Sequence, residues 1–392
     1  MAQCAIKPDV EFVRELQETG GESLKKCYQC ATCSVACPLS PENAPYPRKE
    51  MVWASWGLKD KLMGDADLWL CHNCGNCSDL CPRGARPADM MSAARNVIYR
   101  DLVEPTCVGR LMSSPSGLPM LFAVPALLWL VVWAIRASIV GAWFPRTADG
   151  RIVFGQIFYG DYTIDPIFML TFFGALFLIG RGAVKLWKSF KPEGKLAVIG
   201  KQKCWVWHLW DVLWDEVITH KKFSDCEAGP DTGKTRYNRQ FGHLLLVYSF
   251  CILAFVTAVV AGGHWIGKVW PVVSIETPMP LTFPVKLLAN LGALMLLAGL
   301  AVLTVRRCLQ DKENHGSNWH DWYLLGIIWA VALTGVLSQC FRLADCVTLA
   351  FMVYYLHLVF VWMLFAYLPW TKLGHFVYRT VALVYVRMYG RS

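Results

Sequence analysis

Two cysteine runs near the N-terminus have the spacing of iron–sulfur cluster ligands. They read Cys27-x2-Cys30-x2-Cys33-x3-Cys37-Pro38 and Cys71-x2-Cys74-x2-Cys77-x3-Cys81-Pro82. In cubane-cluster motifs of this spacing, the first three thiolates reach one cluster and the fourth ligates the other. The spacing therefore predicts two [4Fe–4S] clusters, with the ligand sets Cys27, Cys30, Cys33, Cys81 and Cys71, Cys74, Cys77, Cys37.

Zinc is the main alternative for these thiols, because C-x2-C pairs also bind Zn²⁺. Zinc takes four ligands and usually uses two such pairs, without a repeated triple and a Cys-Pro ending. A disulfide framework fits less well, because too many thiols lie too close together in the sequence. Outside the two runs, Cys340 and Cys346 leave open either a disulfide or two separate thiols.

Four histidines lie within or at the ends of hydrophobic segments: His243, His264, His357 and His375. Imidazole binds haem iron, and a polar side chain in a membrane span is a functional candidate. On one continuous helix, His357 and His375 would share a face about 27 Å apart. Antiparallel helices would pair His243 with His375 near the inner side and His264 with His357 near the outer side. The pattern predicts two haem b groups; the alternatives are interfacial helix caps at His264 or His375, and His220 as a substitute ligand.

The composition indicates a membrane protein with a soluble part. Of 392 residues, 55% are hydrophobic and only 17% are charged, against about a quarter in soluble domains. The net charge of +9 does not indicate nucleic-acid binding, because Lys and Arg cluster between hydrophobic segments, as the positive-inside rule describes. The first residues contain Asp9 and Glu11 and no apolar core, so no cleavable signal peptide is expected. The motif cysteines imply a reducing compartment.

Six hydrophobic segments can each furnish the roughly 20 apolar residues that cross a bilayer. They are predicted at residues 118–140, 166–186, 243–263, 284–305, 322–341 and 350–370. The connection 187–240 carries ten Lys or Arg, and the opposite loops carry few. An even number of spans puts both termini on one side, which the positive-inside rule makes cytoplasmic. The stretch Cys204 to Trp214 is predicted to form an amphipathic helix on the inner surface.

The chain is therefore expected to be all-α, with an α-helical ferredoxin domain followed by a six-helix transmembrane cytochrome b domain. Residues 1–105 form the first, cytoplasmic domain, because the residues between the cysteine runs have helical apolar spacing and few β-branched side chains. Residues 106–117 are predicted to be a linker. Residues 118–380 form the haem domain with its inner loop 187–240, and residues 381–392 form a cytoplasmic tail.

These motifs resemble known families. The cysteine runs on a helical background resemble the iron–sulfur C subunit of heterodisulfide reductase. The spans with His357 and His375 resemble the cytochrome b subunit of that enzyme and the gamma subunit of nitrate reductase. One chain that joins both resembles the membrane subunits of the quinone-interacting membrane-bound oxidoreductases. An earlier helix of the nitrate reductase pattern carries two His; His243 matches the inner one, and the outer one has no counterpart at that spacing.

The resemblance implies a menaquinone substrate, soluble flavin and iron–sulfur partner subunits, and adenylylsulfate reductase as the electron partner. It also implies the bacterial inner membrane. No group-transfer site is expected, since no nucleophile or acid–base constellation stands out. Arg181 is either a snorkelling residue or a haem propionate contact. The alternative functions are a heterodisulfide-reductase-type or sulfite-reductase-linked quinone oxidoreductase subunit, a transporter, or a non-redox membrane anchor. The spans contain almost no Asp or Glu, which argues against a transporter.

Overall fold

The structure is a computed structural model, and it describes residues 7–42, 45–190, 204–221, 239–275, 277–309 and 315–390. Every regular element within these ranges is helical, which agrees with the predicted all-α class. The basic connection 187–240, on which the predicted orientation depends, lies largely outside the described residues.

The N-terminal domain is built from short helices around one long, buried helix. They are α1 (Val10–Leu16), α2 (Thr32–Val35), α3 (Arg48–Ser55), α4 (Lys59–Met63), α5 (Asp67–Leu70), α6 (Asn76–Asp79), α7 (Pro87–Leu102) and α8 (Thr106–Met112). Helix α7 begins with Pro87, whose missing N–H is no loss in the first turn of a helix. Nearly all of its side chains are buried, and it packs against α1, α3, α5 and α6. Helix α8 lies within the segment predicted as a linker.

Among the described residues, six long helices are apolar enough to cross a membrane, in agreement with the predicted number. They are α9 (Leu118–Val140), α10 (Asp165–Ser189), α12 (Arg239–Gly267), α13 (Pro284–Leu309), α14 (Trp319–Leu343) and α15 (Val347–Ala366). A short helix, α11 (Trp205–Val212), precedes α12 and lies in the stretch predicted to be amphipathic. It buries Val212 and exposes Trp205, Trp207 and Trp210.

Helix α13 lies between α12 and α14, and α15 packs against α14, α9 and α10. Small residues let α12 and α13 approach closely, as at many helix contacts in membranes. A Cβ added at Gly299 would lie 3.0 Å from the carbonyl oxygen of Gly242, and one at Gly292 would lie 2.9 Å from the Ile252 side chain. The position of α12 therefore depends on glycine.

The segment between His357 and His375 is not one helix. Helix α15 ends at Ala366, two 3-10 turns follow at Leu368–Trp370 and Lys372–Gly374, and α16 (His375–Tyr389) then begins. Pro369 has no N–H with which to continue a helix. The prediction that the two histidines share one helix face was therefore wrong. Helix α16 packs against α5, α10 and α11, so most of the segment predicted as a tail is part of the fold.

Candidate redox sites

The two cysteine loops have the same backbone conformation, 44 residues apart. Gln29 and Asn73 have φ of 59° and 52°, and Ala31 and Gly75 have φ of 70° and 94°. The backbone N–H of Gln29 points at the Cys27 sulfur, and that of Asn73 at the Cys71 sulfur, both at 3.4 Å. Each loop leads into a short helix, α2 or α6. The left-handed turns aim backbone donors at the thiol groups, and such hydrogen bonds tune cluster potentials.

The fourth cysteine of the first run lies beside the second run. Cys37 lines one small cavity together with Cys71, Cys74 and Cys77. Burial raises the pKa of Cys37, and the charges of Cys71 and Cys74 add to the effect. Burial likewise raises the pKa of Cys77, with Cys71, Cys74 and Cys37 contributing.

The reciprocal arrangement holds on the other side. Burial raises the pKa of Cys33 to about 11, and the charges of Cys27, Cys30 and Cys81 raise it further. Four thiolates in one confined space repel one another and need a compensating cation. Because iron supplies that charge, both four-thiol groups fit a [4Fe–4S] cluster.

Three arginines bind the backbone of the second loop. Arg95 of α7 donates to the Cys71 carbonyl at 2.8 Å, and Arg239 of α12 donates to the His72 carbonyl at 2.7 Å. Arg379 of α16 donates to the Cys71 carbonyl at 3.3 Å and lies 2.8 Å from the His72 ring nitrogen Nε2. No cysteine or histidine motif in the sequence includes these residues. Their signal is spacing: Arg239 and Arg379 each lie four residues, or about one helical turn, from a candidate haem histidine.

The structure brings the predicted inner pair together. The ring centres of His243 and His375 are 6.5 Å apart. Two imidazoles that ligate one iron from opposite sides would have ring centres about 6 Å apart, because each metal–nitrogen bond is about 2 Å long. Burial lowers the pKa of His375 to about 4, so the ring is neutral at physiological pH, as ligation requires. Its Nδ1 bonds to the Lys372 carbonyl, which orients the ring.

His220 is also part of this site. Its Nε2 lies 2.7 Å from Nδ1 of His243, and its ring is buried. The backbone of His220 has φ of 49°, an uncommon value for a residue other than glycine. The residue named as a substitute ligand therefore contacts the predicted ligand directly.

The predicted outer pair has a different geometry. Nδ1 of His357 lies 3.1 Å from both the Thr334 hydroxyl and the Val331 carbonyl of α14. Nε2 of His264 is hydrogen-bonded to the Asp161 carboxylate, and 44% of the His264 side chain is exposed. His264 lies three residues from the end of α12, whereas His357 lies ten residues inside α15. The two rings thus have different partners and different depths along their helices.

Arg181 of α10 pairs with Glu104 at 3.3 Å, and its side chain is 59% exposed.

A further ionic cluster, which no sequence motif indicates, is buried in the N-terminal domain. The Lys49 ammonium lies 2.8 Å from Asp67, 3.3 Å from Asp65 and 3.7 Å from Glu50. Burial, followed by the charge of Asp65, raises the pKa of Glu50 well above its ordinary value.

The helical fold and the grouped thiols define the class: a multi-pass membrane protein with an iron–sulfur domain for two [4Fe–4S] clusters. Residues 23–85 match the family of 4Fe–4S dicluster domains, and residues 162–392 match the citrate utilization protein B family. The second match covers more than half of the chain. The chain belongs to the citrate utilization protein B family.

Several heterodisulfide reductase proteins are similar to about a quarter of this chain. The C subunit of the H2:CoB-CoM heterodisulfide,ferredoxin reductase of Methanothermobacter marburgensis is 39% identical over 89 residues, which are 22% of this chain and 48% of that protein. The iron–sulfur C subunit of the CoB–CoM heterodisulfide reductase of Methanopyrus kandleri is 37% identical over 98 residues, which are 24% and 51%. The chain spans about half the length of these curated relatives. No solved structure matches it.

Proposed function

We propose that this chain is the membrane subunit of a quinone-interacting oxidoreductase and carries electrons between the quinone pool and soluble redox partners. One observation carries the proposal: the cysteine loop of one cluster is bound by Arg239 and Arg379, on the same helices as His243 and His375. A cluster and a haem held in this way would be neighbours. When bound, they would supply the one-electron chemistry, and the protein would fix their positions.

The ligand assignments are part of the proposal. Cys27, Cys30, Cys33 and Cys81 would hold one cluster, and Cys71, Cys74, Cys77 and Cys37 would hold the other. The grouping of the thiols across the two runs supports these sets. His243 and His375 would hold the inner haem b, with His220 orienting His243 through the ring–ring hydrogen bond.

An outer haem b at His357 belongs to the same proposal, with His264 as the expected partner. His264 would first have to leave Asp161. Arg181 would be a propionate contact only if its pair with Glu104 opened.

The family resemblance extends the proposal to partners and place. The substrate would be menaquinone or menaquinol, and the partners would be soluble flavin and iron–sulfur subunits that serve adenylylsulfate reductase. The chain would lie in the bacterial inner membrane with both termini cytoplasmic. A heterodisulfide-reductase-type or sulfite-reductase-linked subunit would use the same sites.

A reduced-minus-oxidised visible spectrum of the purified chain tests the proposal. We expect b-type haem bands from two haems. His243→Ala and His375→Ala should each remove the same haem and about half of the signal, because loss of an axial imidazole leaves the iron one ligand short. His208→Ala, on α11, is the control and should retain the full signal. A wild-type spectrum without b-type bands would instead favour a membrane anchor, and loss of different haems in the two variants would refute the pairing.

A further inference from the structure

The two cysteine loops differ in what covers them. Arginines from α7, α12 and α16 bind the second loop, and Cys77 is buried. In the first loop, Cys30 is exposed. Because the proposed function needs an electron exit to a soluble protein, the exposed loop is the side where that protein can approach a cluster. We propose that the surface around the first loop docks a soluble electron-transfer protein with an acidic contact face.

This surface, the Tyr28 face, has an apolar centre. Tyr28 is 68% exposed, Val35 is 87% exposed and Leu80 is 46% exposed. The Arg83 guanidinium lies over the Tyr28 ring at 4.0 Å, which joins the end of the second cysteine run to the first loop. Helix α2 ends at Val35, and helix α6 ends just before Leu80. The two helices pack against each other. Adjacent exposed apolar side chains with a polar rim are typical of an interaction site.

The rim of the Tyr28 face is basic. Lys25, Lys26, Arg48 and Arg83 are exposed. Nε of Arg48 donates to the Gln29 carbonyl at 3.0 Å, which holds this charge beside the first loop. The neighbouring carboxylate of Asp79 lies 3.0 Å from Nε2 of His315. A positive rim of this kind attracts an acidic partner and accelerates encounter.

An anionic lipid surface would also favour basic and aromatic residues, but the geometry favours a protein. The second loop contacts the inner ends of α12 and α16 and therefore marks the membrane side of the domain. The first loop presents a separate, exposed surface. The electron order that follows is inner haem, the cluster of Cys71, Cys74, Cys77 and Cys37, the cluster of Cys27, Cys30, Cys33 and Cys81, and then the partner, or the reverse.

Electron transfer at the Tyr28 face can be measured with a plant-type [2Fe–2S] ferredoxin as the probe. Reduced ferredoxin, at about −400 mV, would give one electron to the oxidised cluster, and no proton or bond needs to move. Stopped-flow oxidation of this ferredoxin by the full-length chain in detergent gives a second-order rate constant. We expect Arg83→Glu and Val35→Glu each to lower it about tenfold at low salt. The matched controls are Arg151→Glu and Val272→Glu, at exposed positions outside the iron–sulfur domain. They should leave the rate constant unchanged.

Iron content and the cluster EPR signals of each variant exclude loss of the clusters as the cause. Unchanged rate constants in both variants would overturn the proposal, as would equal losses in the controls. Binding to phosphatidylglycerol vesicles that is lost in Arg83→Glu, together with an unchanged ferredoxin rate, would assign the face to lipid. A quinol that fails to reduce the clusters in the wild type would refute the proposed function and leave this result standing.

Discussion

At the residue scale, the ligand sets can be tested at the fourth cysteine of each run, which we propose binds the cluster of the other run. We expect Cys37→Ser to give the same residual EPR spectrum as Cys74→Ser, because both thiols belong to the cavity of the second loop. Cys81→Ser should instead match Cys30→Ser. Each variant should lose up to about four of eight cluster irons. The exposed Cys107→Ser is the control, and a match between Cys37→Ser and Cys30→Ser would contradict the ligand sets.

Glu50 gives a prediction about pH. Burial raises its pKa above the ordinary value of 4.5, so the folded chain keeps a proton that the unfolded chain releases. The free energy of unfolding should therefore fall as the pH rises above about 4.5 and through the raised pKa, by about 1.4 kcal/mol for each pH unit in that window. Glu50→Gln, which stays neutral, should be more stable relative to wild type at pH 8 than at pH 5. Thermal unfolding of the full chain measures this.

The exposed Glu42→Gln is the control for the pH experiment and should show no such difference. An equal effect of Glu50→Gln at pH 5 and pH 8 would mean that Glu50 is ionised in the folded state. The positive charge of Lys49 would then compensate a negative charge on Glu50 in addition to those on Asp65 and Asp67.

At the scale of elements, the contact between α12 and α13 fixes the height and rotation of His243. Gly299→Leu should push the helices apart, because a Cβ there already lies 3.0 Å from the Gly242 carbonyl. We expect about 1–3 kcal/mol of destabilisation from overpacking and loss of the inner haem band. Gly326→Leu on α14 is the matched control, since no atom lies within 4 Å of a Cβ at that position. A full haem complement in Gly299→Leu would show that α12 tolerates the shift.

At the scale of the whole molecule, the arginines of α12 and α16 hold the iron–sulfur domain against the membrane helices. The double variant Arg239→Gln and Arg379→Gln should keep its clusters and haem, since the ligands are unchanged. Electron transfer between them should slow at least tenfold, because the loop loses charge-assisted bonds from both helices. Stopped-flow haem reoxidation measures the rate. The double variant Arg146→Gln and Arg151→Gln, whose arginines pair with Asp345 and Asp149, is the control. Equal rates in the two double variants would contradict this role of the arginines.

Local patterns in the sequence were enough to predict the cysteine runs as cluster motifs and the hydrophobic segments as membrane helices. The cysteine spacing predicted two clusters with exchanged fourth ligands, and Cys37 lines the cavity of the second loop. The hydrophobic segments predicted six membrane helices, because length and apolar composition alone satisfy a bilayer. His243 and His375 were paired because antiparallel spans would put both near the inner side, and the structure places their ring centres 6.5 Å apart although His375 begins a separate helix.

Only the tertiary structure decided what lies between these elements. The break at Leu368–Gly374 separates His357 from His375, and the sequence alone did not reveal it, since packing decides whether a helix continues past Pro369. Arg239 and Arg379 bind residues 167 and 308 positions away in the chain, and only the folded structure brings them to the second loop. The partner of His264 depends on the π-helical turn Gly160–Ile164 before α10, which brings Asp161 to it. The exposure of one cysteine loop and the covering of the other follow from how the two domains dock, because the loops are nearly identical in sequence spacing and backbone conformation.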